Sequence, residues 1–185
     1  MSSRIPRLEM EQLAPEVQQT LAARVKRLGY LGEFFKCSGH NPAVLVSFME
    51  MTEALKHALP DRLTEVVSLT VAVLMGNDYE RHQHERLSEK LGFGREWIAA
   101  VKQLAPGDSA PLSEVERAVQ RLAIAVVKRS GHGVQTELET VVAHAGPAEG
   151  MAVLFLLGRY VMHAYVVNAL DLKPPVPSIF AGEKG

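Results

Sequence analysis

Apolar residues recur along this chain every three or four positions, and no run alternates β-branched with polar residues, so the pattern predicts helices and no sheet. Val17, Leu21, Val25 and Leu28 form the first stripe, opened by Pro15 at a first-turn position and closed by Gly29. The aromatic stretch YLGEFFKCSGH is broken by glycines and reads as a turn or a single helical turn. Asn41 and Pro42 start a helix carrying Val44, Leu45, Phe48, Thr52 and Leu55, which Leu59, Pro60 and Asp61 end as they begin the next. GREWIAAVKQLA predicts a short helix, and PGDSAP is an exposed loop. Ser113 and Glu116 have capping-box spacing ahead of the run 115–127, which Lys128, Arg129, Gly131 and Gly133 close. A shorter helix follows over 137–144, then a long apolar one to about Leu170, then an irregular proline-rich tail. The expected class is all-α, a compact bundle of about seven or eight helices.

Residues 65–92, EVVSLTVAVLMGNDYERHQHERLSEKLG, join an apolar helical run to a polar cluster through a break at Gly76 and Asn77. On a helix beginning near Asp78, Glu80 and His84 lie one turn apart on a face that Leu87 and Leu91 continue. His82 lies roughly 200° around the axis from both, with Glu85, Arg86 and Glu89, which assigns it to solvent or a subunit contact. Asn77 and Glu80 also have the spacing of a capping box. On the preceding helix Glu65, Ser68 and Ala72 line one small, polar stripe, and a helical hairpin would bring Glu65 towards His84. The functional reading of Glu65, Glu80 and His84 is a proton relay, in which carboxylates orient an imidazole and burial tunes both. The structural alternatives are a first-turn acid at Glu65 and a satisfied core histidine at His84.

Length and composition narrow this further. The 185 residues suit one domain, 1–185, with the polar core segment at 61–92 and the tail at 173–185. A net charge of −1 from 20 basic and 21 acidic residues, with no basic run, argues against a nucleic-acid partner. The single cysteine, Cys37, excludes an internal disulfide and reads as structural. The opening MSSRIPRLEM has no apolar signal region, so a reducing cytoplasm is expected. Residues 151–172 are apolar enough to raise a membrane span, but Arg159, His163, Asn168 and Asp171 interrupt them, and a buried helix is expected with no membrane partner. Trp97 and Asn168 read as packing or capping residues, and His163 as a pocket-lining or core histidine.

Glu65, Asn77 twelve residues on, Asp78-Tyr79, Glu80, and His84 seven residues after Asn77 resemble the core pattern of the carboxymuconolactone decarboxylase and alkylhydroperoxidase D superfamily. NPAVLVSFMEMTEAL before the core, and LSEVERAVQRLA and LLGRYVMHAYVVNAL after it, extend the resemblance over most of residues 30–172. It implies the helical bundle of that superfamily and a homo-oligomer, trimer or hexamer. The peroxidase branch activates a Cys-x-x-Cys pair, whereas here Asn77 and Glu80 stand at both cysteine positions and Cys37 matches neither. Dithiol peroxidase chemistry is thereby closed to this chain.

Tyr79-Glu80-x-x-x-His84 instead resembles the decarboxylase-like branch, which implies non-redox lyase chemistry, without a cofactor, on a small carboxylated or lactone-like substrate. In that chemistry His84 moves a proton at the carbon that loses carbon dioxide, and Glu65 and Glu80 set its charge and tautomer. Tyr79 donates to a developing oxyanion, and Arg81 or Arg159 is the candidate cation for the substrate carboxylate. Glu80 and His84, four residues apart, also suit one metal ion if Glu65 or His163 completes the set, but no tight ligand motif supports a metal. The remaining alternatives are a family member assigned hydroperoxide reduction without the redox cysteines, and a ligand-binding oligomer without catalysis.

Overall fold

A computed structural model describes residues 5–107 and 111–182. Residues 108–110 of the expected loop, the last three residues of the tail and residues 1–4 of the opening stretch lie outside the described residues. Among those described there are nine α-helices, one 3-10 turn and no strand. The helices are α1 (Pro15–Leu28), α2 (Glu33–Ser38), α3 (Pro42–Ala58), α4 (Asp61–Leu74), α5 (Asp78–Lys90), α6 (Arg95–Lys102), α7 (Glu114–Arg129), α8 (Gln135–Ala145) and α9 (Pro147–Ala169). The all-α expectation holds. The count exceeds seven or eight because the YLGEFFKCSGH segment closes into α2, a helix of six residues.

The chain forms two compact units, Met1–Ala54 and Leu55–Gly185. In the first, Val17 and Leu21 of α1, Phe34, Phe35 and Cys37 of α2, and Leu45, Phe48 and Met49 of α3 are buried. Phe34 meets Phe35 edge to face and Phe48 at a tilt, each at 5.4 Å between ring centroids. Gly29 ends α1 in the left-handed region at φ 80°, its N–H donating to Val25 O, where any side chain on the backbone is strained. Gly39 has a packing reason, since a Cβ there runs into the Leu13 side chain.

The second unit is organised around α4, whose residues 63–72 are all buried. A helix buried on every side belongs at the centre of its layer, and α4 packs against α5, α6, α7 and α9. Asn168 Nδ2 donates to Met75 O at 2.8 Å, fixing the turn after α4, and Gly76 makes that turn at φ +61°. The expected capping box starts α7, and Glu116 also accepts from Arg62 and from Trp97 Nε1 at 3.4 Å. By length and mean hydropathy, 1.5 over its most apolar window, α9 is able to cross a membrane, yet 56% of that window is buried here. Its buried side carries Arg159 and His163.

Three details differ from the sequence reading. Leu91, expected on the inner face of α5, is exposed, because the helix ends at Lys90 and the backbone turns through Gly92 at φ 80°. Helix α8 runs from Gln135 to Ala145, longer at both ends than expected. His82 faces outward but is covered, its Nδ1 lying 3.1 Å from Val176 O of the tail. The tail is irregular as expected, and it straps across α5 and α6. Arg86 Nε donates to Pro177 O at 3.0 Å, Arg95 Nη2 to Ile179 O at 2.8 Å, and Ser178 Oγ to Glu85.

Candidate active site

The turn between α4 and α5 sets the site. Asn77 N donates to Ala72 O at 2.8 Å, and the Asn77 side chain accepts from Glu80 N at 3.1 Å. Asn77 is thus the N-cap that the spacing predicted. Glu80 does not complete the box; its carboxylate, in the first turn where the helix field favours an anion, turns to the histidines instead. Helix α5 then runs back along α4, which brings His84 and Ser88 beside Glu65.

His84 lies between two carboxylates. Its Nδ1 is 2.9 Å from Glu65 Oε2 and 3.1 Å from Glu65 Oε1, and its Nε2 is 3.1 Å from Glu80 Oε2. Ser88 Oγ donates to Glu65 Oε2 at 3.0 Å. Ser68 Oγ donates to the Glu65 backbone oxygen at 3.1 Å, which leaves its own oxygen to accept from His84 Nδ1, also at 3.1 Å. From α9, Tyr160 Oη reaches His84 Nε2 at 3.1 Å, and the two rings meet edge to face at 5.3 Å. Arg159 Nη1 is 3.8 Å from Glu80 Oε2, His163 Nε2 is 3.5 Å from Glu80 Oε1, and the Arg159 guanidinium lies 4.3 Å from the centre of the Tyr160 ring.

These contacts decide protonation. Burial opposes a charge on His84, but the Glu65 charge and the hydrogen bonds to Glu65 and Glu80 together outweigh it, and the imidazole is held protonated well above its ordinary value of 6.5. Burial pushes the Glu80 carboxyl up, yet His163, the hydrogen bond from His84 and the Arg159 charge together hold it far below the usual carboxylate range. Burial raises the Tyr160 phenol, which stays neutral. Such a site has a proton to give at neutral pH.

Of the residues expected from sequence, Glu65, Glu80, His84, Arg159 and His163 come together. Tyr79 is buried behind them, its ring 6.2 Å from that of His163. Arg81 pairs with Asp78 at 2.8 Å, and its guanidinium lies 3.4 Å from His82 Nε2, away from the cluster. Sequence reasoning missed Tyr160 and Ser88. Ser88 follows His84 by one helical turn, and Tyr160 precedes His163 by three residues on one face, so both carried a positional signal. The two nitrogens of His84 point to carboxylates on opposite sides of the ring, and among the described residues no group of three or more His, Cys, Asp or Glu side chains is arranged to hold a metal ion. Cys37 belongs to the first unit, where burial raises its thiol away from the reactive thiolate.

Residues 42–126 match the Carboxymuconolactone decarboxylase family, a span that includes Glu65, Glu80, His84 and Ser88 but not the α9 side chains. Among solved structures, the alkylhydroperoxidase AhpD core of an uncharacterized peroxidase-related protein from Ralstonia eutropha JMP134 is 17% identical. It superposes with a TM-score of 0.80 over 93% of this chain and 92% of that chain. The debrominase Bmp8, in complex with 2,3,4-tribromopyrrole, is 16% identical at a TM-score of 0.79, over 94% of this chain and 92% of that one. A peroxidase-related protein from a Silicibacter species is 17% identical at 0.75, over 95% and 94%. At such identities the likeness is one of fold. No curated protein matches the sequence. Over residues 42–126 the chain thus resembles the carboxymuconolactone decarboxylase family, and its helical fold is the one seen in AhpD-like proteins.

Proposed function

We propose that the protein is a non-redox acid–base enzyme of the decarboxylase or lyase type, acting on a small carboxylated or lactone-like substrate. The observation that carries this reading is the doubly clamped His84, 2.9 Å from Glu65 and 3.1 Å from Glu80. When a carboxylate leaves as carbon dioxide, the bonding pair stays on carbon as an enolate-like anion, and a proton must be delivered to it. A protonated His84 is the form that delivers one, and general acids so placed contribute about 10²–10⁴-fold. Its side chain keeps 13% of its surface exposed, which gives substrate an approach. Asn77 and Glu80 at the cysteine positions speak against peroxide reduction by a thiol pair.

The reading includes a small-molecule substrate, a cytoplasmic location, no nucleic-acid or membrane partner, no cofactor, and assembly as a homo-oligomer, trimer or hexamer. Assembly is supported by an uncharged exposed stripe on α9, described below. The test is carbon dioxide release from a panel of lactone carboxylates and muconate-like acids. His84→Gln is expected to lose at least about a hundredfold in kcat, with deuterium from heavy water appearing in the wild-type product. Equal carbon dioxide release by wild type and His84→Gln sinks the proposal.

A further inference from the structure

One hydroxyl beside His84 has no acceptor among the described residues for its proton. With one carboxylate at each ring nitrogen, both nitrogens carry protons, since a bare lone pair facing a carboxylate is repelled. Nε2 is therefore a donor only, and Tyr160 Oη, 3.1 Å away, accepts from it. The phenol proton must then point elsewhere. Among the described residues Tyr160 makes no second hydrogen bond, although only 6% of the residue is exposed. A buried O–H without an acceptor is costly in a finished core and useful in a binding site, where an arriving oxygen supplies the missing half.

Two charges sharpen this donor. The imidazolium N–H withdraws electron density from the phenol oxygen, and the Arg159 guanidinium, 4.3 Å from the ring centre, acts in the same direction. Both strengthen the O–H as a donor to an anion. Tyr160 and His84 each keep a small exposed fraction, through which a small, flat ligand reaches both. Tyr79, the tyrosine suggested by the sequence, stands instead against His163.

We propose that the Tyr160 hydroxyl is the oxyanion-binding position of this site, receiving one oxygen of a small carboxylate or enolate beside His84. The assignment rests on the acid–base reading above, because it takes His84 as protonated. In that reaction the phenol keeps its proton and hydrogen-bonds the enolate oxygen, while His84 gives its Nε2 proton to carbon and regains one from solvent. The Nε2–H bond breaks, the new C–H bond takes the pair left by carbon dioxide, and no oxidant or reductant enters.

Oxalate, a flat dianion resembling an enediolate, is the probe. Protein labelled with ¹³C at the tyrosine ζ carbon gives signals from four tyrosines, and Tyr160→Phe identifies the one that matters. Oxalate is expected to move the Tyr160 signal to saturation. Calorimetry should show binding to Tyr160→Phe weaker by about tenfold or more, with Tyr79→Phe within about twofold of wild type and all three proteins unfolding at similar temperatures. An unmoved Tyr160 signal, or equal affinity in Tyr160→Phe, overturns the assignment. The acid–base reading fails separately, through the carbon dioxide assay of His84→Gln, which does not involve oxalate.

Discussion

At the scale of the residue, His84 makes stability depend on pH in two directions. Its folded pKa is raised above 6.5, so its contribution is complete below that value and is lost as pH rises through the folded pKa. Glu80 is depressed below 4.5, so its contribution is complete above that value and is lost as pH falls. Wild type should therefore exceed His84→Gln most between about pH 4.5 and 6.5, by about 3–5 kcal/mol, since removing one partner strands buried carboxylates. The advantage should fade in alkali and in strong acid. Urea unfolding between pH 4 and 10 measures it, and a difference that stays flat across that range would mean an uncharged cluster. The sequence made Glu80 and His84 legible because one turn of one helix separates them. Tyr160 carried only its three-residue spacing from His163, because its partner lies 76 residues away and is met only by packing.

At the scale of the element, α5 is held from both sides. Its inner face carries Glu80 and His84, and its outer face carries Glu85, whose buried carboxylate accepts Ser178 Oγ–H and Ile179 N–H at 3.2 Å and lies 2.6 Å from Lys102 Nζ. Phe180 completes the strap under the Lys102 ammonium, 4.0 Å from its ring centre. Burial pushes the Glu85 carboxyl up, but the hydrogen bonds from Lys102 and Ser178 pull it below its ordinary value. A depressed carboxyl holds the tail above about pH 4.5 and releases it as pH falls. Ser178→Ala should weaken the strap by about 1.5–3 kcal/mol, the range for a hydrogen bond to a charge. Amide exchange at Ile179 reads this directly, and unchanged exchange in the variant would show that Glu85 is not the anchor. The sequence reading put Glu85 on the outer face with His82, and the strap converts that face into an interior.

At the scale of the whole molecule, α9 looks both ways. Arg159, Tyr160 and His163 serve the cluster, while Met151, Phe155, Met162 and Tyr165 stand half-exposed or more. With exposed Gly158 they alternate at four and three residues, the spacing of a seam between helices. The only Arg, Lys, Asp or Glu between positions 150 and 169 is the buried Arg159. If the proposed homo-oligomer uses this seam with a second copy, Phe155→Glu with Met162→Glu should convert it to a 20.3 kDa protomer in light scattering without changing the helical circular dichroism. A wild-type protomer already monomeric refutes the assembly, and partition to lipid vesicles would identify the stripe as a membrane surface.

The sequence by itself determined the all-helical class, the helix start at Pro15, the caps at Asn77, Ser113 and Gly29, and the inward pairing of Glu80 with His84. Each of these follows from local geometry, where a side chain and its target are separated by at most one turn. Tertiary structure decided the rest: that Glu65 meets Nδ1 while Glu80 meets Nε2, that Tyr160 supplies the hydroxyl, and that the tail seals Glu85. Those contacts join residues 19, 76 and 93 positions apart. Helical periodicity states which way a side chain faces on its own helix. Only the packing of helices on one another states what it faces.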